Sequence, residues 1–255
     1  MNRYIILFLV AILTGACSAG QVKKNRVTQE PKAILNSNPD GKGPEISLEL
    51  IKGKSFNYPL MAVWLEDKSG NYIQSLFVPA SVATGIFKYG QQENNKWIPG
   101  SKRAPQTLPY WSHKRGVVAS DGLFMPEPGN PVPDAYSGAT PTGSFILNSR
   151  ADKSLPDIFR VMLEINQNWD FNEYWTNDKF PDDENYKMSC QPAVVYEAVI
   201  DTRNPVNSYL MKPVGHSHYS GKTGELFPDL GTLTTALNIA DSIIVRIKLV
   251  TGANL

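Results

Sequence analysis

The sequence has few cysteines and no excess of charge of either sign. These two features exclude a disulfide-stabilised domain and argue against a nucleic-acid partner. Its 255 residues include 2 cysteines, Cys17 and Cys190, too few for disulfides to be the main stabilisation of a domain of this size. We interpret Cys190 as a buried small side chain. Arg3 precedes Cys17, so 24 of the 25 basic residues follow it and balance the 24 acidic ones. Nucleic acid is therefore not an expected partner, because phosphate binding needs a concentrated basic face.

Familiar catalytic signatures are also missing. The chain contains no GxSxG, HExxH or phosphate-loop pattern, and no arrangement of Cys, His and Asp in the sequence suggests an activated nucleophile. Serine hydrolase and zinc peptidase activities are therefore not expected. We predict that the protein is not itself an enzyme.

Long apolar runs are absent except at the N-terminus, where residues 1–17 are typical of an export signal. Arg3 is followed by an apolar run at residues 4–13, which is shorter than the roughly 20 residues of a transmembrane helix. The ending LTGAC resembles the lipobox of bacterial lipoproteins, which implies cleavage before Cys17 and a lipid anchor on its thiol and new amine. A plain signal peptide with a chance cysteine is the alternative.

Beyond the signal we predict a flexible tether at residues 18–44, which are polar and contain Gly, Pro and Asn. One domain follows at residues 45–255, with few amphipathic helices. Its alternating or β-branched runs predict eight strands: ISLELI from 46, YPLMAVWLED from 58, YIQSLFV from 72, GSFILN from 143, IFRVMLEIN from 158, AVVYEAVID from 193, NSYLMKP from 207 and SIIVRIKLV from 242. This pattern favours an all-β fold, an Ig-like antiparallel β-sandwich with long loops.

The segment DAYSGATPTG, residues 134–143, contains the order Asp, two residues, Ser, Gly, Ala, Thr. It resembles the attachment motif of flavinylated extracytoplasmic proteins, such as the FMN-binding domains of the Nqr and Rnf redox pumps. The resemblance implies that an ApbE-type transferase moves FMN from FAD onto Thr140 and forms a phosphoester. Asp134 would be the leading acid, and Ser137, Gly138 and Ala139 would be the small residues that let the segment enter the transferase.

The segment also suits this chemistry on physical grounds. A hydroxyl that attacks phosphorus needs an approachable backbone, which Gly138 and Ala139 provide, and Pro141 favours an extended conformation at Thr140. A phosphoester leaves the flavin ring free to carry electrons. The alternative is an ordinary turn between strands, in which Asp134 and Ser137 hydrogen-bond to nearby backbone groups.

A second resemblance covers residues 45–250. It is carried by YPLMAVWLEDKSGNYIQSLFV, SGATPTGSFIL, FRVMLEINQNWDFNEYW, QPAVVYEAVID and GTLTTALNIADSIIVRI. These segments resemble an uncharacterised family of predicted periplasmic β domains that tend to occur beside PepSY membrane proteins and flavin transferases. The resemblance implies a β fold and a redox context, and no catalysis is established for that family.

Histidines and tryptophans supply the remaining candidates. His216 and His218 in GHSHYSG would point to one face of a strand and could chelate Zn or Cu, with His113 as the third histidine; a polar loop and a contact to flavin or a partner are the alternatives. Four tryptophans in or near long loops could stack on a flavin ring or cover the ends of a sandwich. They are Trp97, Trp111, Trp169 and Trp175.

Together these patterns predict a lipoprotein of the cell envelope, on its periplasmic or outer-membrane side, that transfers electrons with FMN on Thr140. Its expected partners are the FMN transferase, a membrane redox protein and the membrane itself through the lipid anchor. The alternative is a binding module without flavin, which recognises a ligand or a metal through the loop of His216 and His218 and the tryptophans.

Overall fold

A computed structural model describes residues 32–133 and 136–249 of the chain. These residues form three short helices, α1 at Ala80–Thr84, α2 at Pro109–Arg115 and α3 at Glu184–Ser189, and a 3-10 turn at Ala236–Asn238. Most of the regular structure is β. The strands are β1 at Ala33–Ser37, β2 at Glu45–Lys52, β3 at Leu60–Asp67, β4 at Tyr72–Pro79, β5 at Ile86–Glu93, β6 at Lys96–Ser101, β7 at Ser137–Gly138, β8 at Phe145–Arg150, β9 at Ile158–Asn166, β10 at Val194–Asp201, β11 at Tyr209–Leu210, β12 at Lys212–His216 and β13 at Ala240–Lys248.

The strands form two large open sheets and one hairpin. The five-stranded sheet has the order β1-β8-β2-β13-β11, the six-stranded sheet has the order β12-β10-β9-β3-β4-β7, and β5 pairs with β6. The sequence predicted antiparallel sheets, and this is wrong at two edges, where β1 pairs with β8 and β7 pairs with β4 in parallel. Both sheets are therefore mixed. Parallel pairs need long connections, and short runs at a sheet edge do not reveal their direction in the sequence.

All eight predicted runs contain strand, and most of them present apolar side chains at the period that one or two buried faces require. In β2 the side chains of Ile46, Leu48 and Leu50 are buried and alternate with partly exposed residues. The central strands β3 and β9 are buried on both faces along most of their length. The run from residue 207 is divided between β11 and β12, which belong to different sheets.

The predicted tether is too long at its C-terminal end. Residues 33–37 form β1, which pairs in register with β8 from Ala33 opposite Phe145 to Ser37 opposite Ser149. The sequence AILNS has too few apolar residues to be recognised as a strand by itself. Its backbone partners come from a segment more than 100 residues away, so the domain begins well before residue 45.

Two apolar clusters account for the buried faces. The larger one combines side chains of both sheets, for example Leu48 of β2 with Val63 of β3 and Leu163 of β9. The smaller one covers the other face of the six-stranded sheet, where Trp64 packs in one cluster with Trp111 of α2. The chain between β4 and β7 therefore acts as a cover, which explains why β3 and β9 are buried on both faces.

A glycine in the left-handed conformation ends two of the short helices, α1 and α2. Gly116 follows α2 in the left-handed conformation at φ 69°, with its N–H bonded to the carbonyl of His113. At the other end of α2, the backbone N–H groups of Tyr110 and Trp111 donate to the Glu164 carboxylate of β9 at 3.2 and 2.7 Å. In the part of the chain that the structure describes, no helix has the length and apolar character of a membrane span.

Candidate functional site

The motif segment, residues 134–143, contributes a short strand to one edge of the six-stranded sheet. Ser137 and Gly138 form β7, where they pair with Val78 and Pro79 of β4. The fit there is close, since a Cβ on Gly138 would lie 3.1 Å from the Phe77 ring. Asp134 lies outside the described residues, as does Cys17. Ser137 and Gly138 therefore place the motif segment along β4.

Thr140 follows β7 in irregular backbone and belongs to no strand ladder. Its side chain is half-buried, between exposed Ala139 and buried Pro141. Among the described residues its hydroxyl has no hydrogen-bond partner, whereas the hydroxyl of nearby Tyr136 donates to Asp152 at 2.5 Å. Thr142, two residues further on, is exposed. Thr140 thus offers an uncommitted hydroxyl on accessible chain.

A second candidate site is a pocket of about 380 Å³ at the opposite edge of the same sheet, beside β12. It forms where the chain after β12 folds back, because His216 and Phe227 exchange both backbone hydrogen bonds at 2.9 and 2.8 Å. The loop after β9 closes another side, where Trp175 Nε1 donates to Thr232 Oγ1 at 3.1 Å. The lining includes Tyr174, Trp175, Lys179, Phe180, His216, Ser217, His218, Tyr219, Phe227, Asp229 and Thr232.

Ring contacts dominate the walls of this pocket. Phe180 and Tyr219 stack with centroids 4.3 Å apart and an interplanar angle of 3°, and the His218 ring stacks on Tyr219 at 4.4 Å. His216 stacks on Phe227 at 5.4 Å. Aromatic side chains and a few convergent polar groups are the usual lining of small-molecule sites.

Burial favours the neutral form of both pocket histidines. Burial lowers the pKa of His216, although its hydrogen bond to the carbonyl of Ser217 at 2.8 Å opposes that effect. Burial also lowers the pKa of His218, and the positive charge of Lys222 adds to this. Neutral imidazoles each carry one donor and one acceptor nitrogen, so both rings can take part in specific hydrogen bonds.

The histidines do not build a metal centre. Within residues 32–133 and 136–249, no group of three or more His, Cys, Asp or Glu side chains is arranged to hold a metal ion. His113, the candidate third ligand, lies on α2 with Nδ1 2.8 Å from the carbonyl of Pro109. Its ring stacks on Phe124 at 4.2 Å. His216 and His218 thus belong to the aromatic pocket rather than to a set of metal ligands.

The tryptophans do not gather around Thr140. Trp111 is fully buried and unable to stack on a ligand, and Trp175 lines the pocket at the far edge of the sheet. Trp97 of the β5–β6 hairpin and Trp169 are both exposed. Five strand spacings of about 4.8 Å separate β7 from β12, or roughly 24 Å. The motif segment and the aromatic pocket are therefore separate sites.

Cys190 is a free cysteine with a fully buried side chain, as the sequence predicted. Burial raises the pKa of its thiol, and the nearby Asp170 carboxylate raises it further. A thiol that stays protonated and buried is a poor nucleophile.

Comparison of the chain with family models, with curated proteins and with solved structures finds no match in any of the three. The described residues define a mostly β protein with two mixed sheets, a motif segment at one edge of the larger sheet and an aromatic pocket at the other.

Proposed function

We propose that this protein is an electron-transfer carrier of the cell envelope, with FMN attached to Thr140 through a phosphoester. The observation that supports the proposal is that Thr140 lies on irregular chain just beyond β7, is partly exposed, and has a hydroxyl without a hydrogen-bond partner among the described residues. A threonine with its hydroxyl buried in a strand ladder would be a poor acceptor. The residue order Asp134 to Thr140, with its resemblance to the flavin attachment motif, supplies the rest of the support.

The loading reaction is a phosphoryl transfer with FAD as donor. The Thr140 oxygen bonds to the phosphorus on the riboflavin side of FAD, the pyrophosphate bond breaks, AMP leaves and the hydroxyl proton passes to a base of the transferase. The in-line geometry of this displacement needs free space on one side of the acceptor. Ala139, the residue before Thr140, is exposed and leaves space on its side of the chain.

The envelope context belongs to the same proposal. Lipid on Cys17 would hold the protein on a membrane surface, close to a membrane redox protein that exchanges electrons with the flavin and to the transferase that attaches it. We also propose that the two large sheets pack as an Ig-like sandwich. The support for this arrangement is the single apolar cluster to which both sheets contribute.

Co-expression with an ApbE-type transferase in a bacterial periplasm tests the flavin. We expect the intact mass to rise by one phosphoester-linked FMN and the protein band to show flavin fluorescence. Thr140→Ala should lose both signals. Thr142→Ala is the matched control, because it removes an exposed threonine two residues away and should keep them. An unmodified protein beside a flavinylated control domain, or a signal that survives Thr140→Ala, would contradict the proposal.

The second candidate function is an envelope binding module that takes a small ligand in the aromatic pocket. The volume of about 380 Å³ and the ring-lined walls favour it. A thermal-shift panel of sugars, quaternary amines and planar heteroaromatic compounds tests this function on protein without flavin. A raised unfolding midpoint with any class would support it, and no shift with any class would contradict it.

A further inference from the structure

The two histidines of the aromatic pocket present opposite hydrogen-bonding edges. His216 Nδ1 lies 2.8 Å from the Ser217 carbonyl oxygen, which can only accept, so Nδ1 carries the hydrogen and Nε2 is left as an acceptor. His218 Nδ1 lies 3.2 Å from the backbone nitrogen of Ser220, whose N–H can only donate. His218 Nδ1 therefore accepts, and its Nε2 carries the hydrogen. Backbone contacts thus fix one ring as an acceptor and the other as a donor.

Both Nε2 atoms are free for a ligand. Neither forms a hydrogen bond with a described residue, and neither is among the fully buried side-chain atoms that lack a partner. His216 is 7% exposed. The open space that both histidines line is the aromatic pocket.

The two charged side chains of the pocket lining are of opposite sign, and each forms a hydrogen bond with the backbone. Lys179 Nζ donates to the Tyr174 carbonyl at 2.9 Å and lies 3.2 Å from the centroid of the Tyr174 ring. The Asp229 carboxylate accepts the backbone N–H of Gly231 at 2.8 Å. The remaining lining is mostly aromatic. Such a site favours a ligand without net charge.

We propose that the pocket binds a neutral planar heteroaromatic ring that carries an N–H next to a C=O, the edge found in cyclic amides. The ring N–H donates to His216 Nε2 and the ring carbonyl accepts from His218 Nε2–H, while the aromatic walls contact the ring faces. The inference deepens the second proposed function and rests on it. It does not require flavin on Thr140, which lies at the other edge of the sheet.

Calorimetric titration of the full-length Thr140→Ala protein tests this ligand class without competition from a covalent flavin. The probes are riboflavin and guanosine, which both carry the required edge on rings of different size. We expect at least one of them to bind saturably at one site. The same probe methylated on the ring nitrogen next to the carbonyl should bind about tenfold more weakly, because His216 Nε2 then lacks its donor.

His218→Phe keeps an aromatic ring and removes the donor, and it should weaken binding of the unmethylated probe about tenfold. Trp97→Phe is the matched control, because it also removes a ring N–H donor and keeps an aromatic ring, on the β5–β6 hairpin outside the pocket lining, and it should leave binding unchanged. Near-UV circular dichroism checks that each variant is folded. If His218→Phe fails to fold, the methylated probe tests the same hydrogen-bonding edge on unaltered pocket residues.

Failure of both riboflavin and guanosine to bind would overturn the inference. Equal binding of the methylated and unmethylated probes would also overturn it, since it would remove the pairing with His216. Binding of a sugar or a quaternary amine alone in the thermal-shift panel would leave the second proposed function standing and would reject this ligand class.

Discussion

Because Glu164 is buried, we expect the free energy of unfolding to depend on pH by a calculable amount. This carboxyl of β9 is fully buried and accepts two backbone N–H groups from the first turn of α2. Burial raises its pKa from 4.5 to about 7, although the hydrogen bonds from Trp111 and Tyr110 oppose the rise. Between these pH values the folded protein holds a proton that the unfolded chain releases, so the free energy of unfolding falls as the pH increases.

The size of the effect follows from the two pKa values. One pKa unit corresponds to about 1.4 kcal/mol. The contribution of Glu164 is therefore present in full below about pH 4.5 and is reduced by about 3 kcal/mol once the pH exceeds 7. Glu164→Gln removes the titration. The glutamine oxygen can accept one of the two N–H groups while its amide group cannot, so the variant should be less stable than the wild type at pH 4.5, and its own stability should contain no pH-dependent contribution from this position.

Urea unfolding of the wild type and Glu164→Gln at half-unit steps from pH 4.5 to 8 measures this contribution. The difference between the two free energies of unfolding cancels the titration of residues common to both proteins. We expect that difference to shrink by about 3 kcal/mol, in favour of the variant, between pH 4.5 and 8. A difference that stays constant over this range would refute the assignment of a buried, titrating Glu164.

Three further substitutions test two buried positions of the structure and the lipid anchor expected at Cys17. Gly221→Ala should lower the free energy of unfolding by roughly 2 kcal/mol or more, because Gly221 has φ 74° and a Cβ would lie 2.2 Å from a backbone carbonyl oxygen. Gly122→Ala is its control. Gly122 also has a positive φ, 84°, but lies in open space, so the substitution should lower the free energy of unfolding by only about 1 kcal/mol. Trp111→Phe should lower the free energy of unfolding by about 2 kcal/mol, because it removes the indole hydrogen bond to Ser75 and leaves a cavity. Trp97→Phe, at an exposed position, should lower it by about 0.5 kcal/mol or less. Urea unfolding measures both. Cys17→Ser should abolish incorporation of labelled fatty acid, and labelling of the variant would reject lipidation at Cys17.

The strands that pack on the apolar clusters were predictable from the sequence, and the short edge strands were not. β2 and β9 carry enough apolar residues at a regular period to define their buried faces. β7 contains only Ser137 and Gly138, so nothing in its local sequence specifies a strand; its pairing comes from β4. The hairpin of β5 and β6 is largely exposed on both strands, so it lacks the apolar alternation that marks a half-buried strand.

The candidate site was predicted in parts. His216, His218 and Trp175 were predicted as candidate binding residues from the sequence, because paired histidines and loop tryptophans are uncommon. It could not reveal that they share one pocket, since the contact depends on the backbone pairing of His216 with Phe227 and on a loop from another part of the chain. It also could not reveal that this pocket and Thr140 lie at opposite edges of a sheet, because strand order is set by non-local pairing.

The shortness of β7 bears on when the proposed attachment of FMN to Thr140 could occur. Among the described residues β7 pairs with β4 at two positions, and Pro79 has no backbone N–H to contribute. Thr140 lies two residues beyond this pairing and belongs to no strand ladder. A transferase that requires an extended acceptor peptide would have to displace only this short strand and the hydrogen bond between Tyr136 and Asp152. Attachment of FMN to Thr140 would then be able to follow export and folding, with no need for an unfolded substrate.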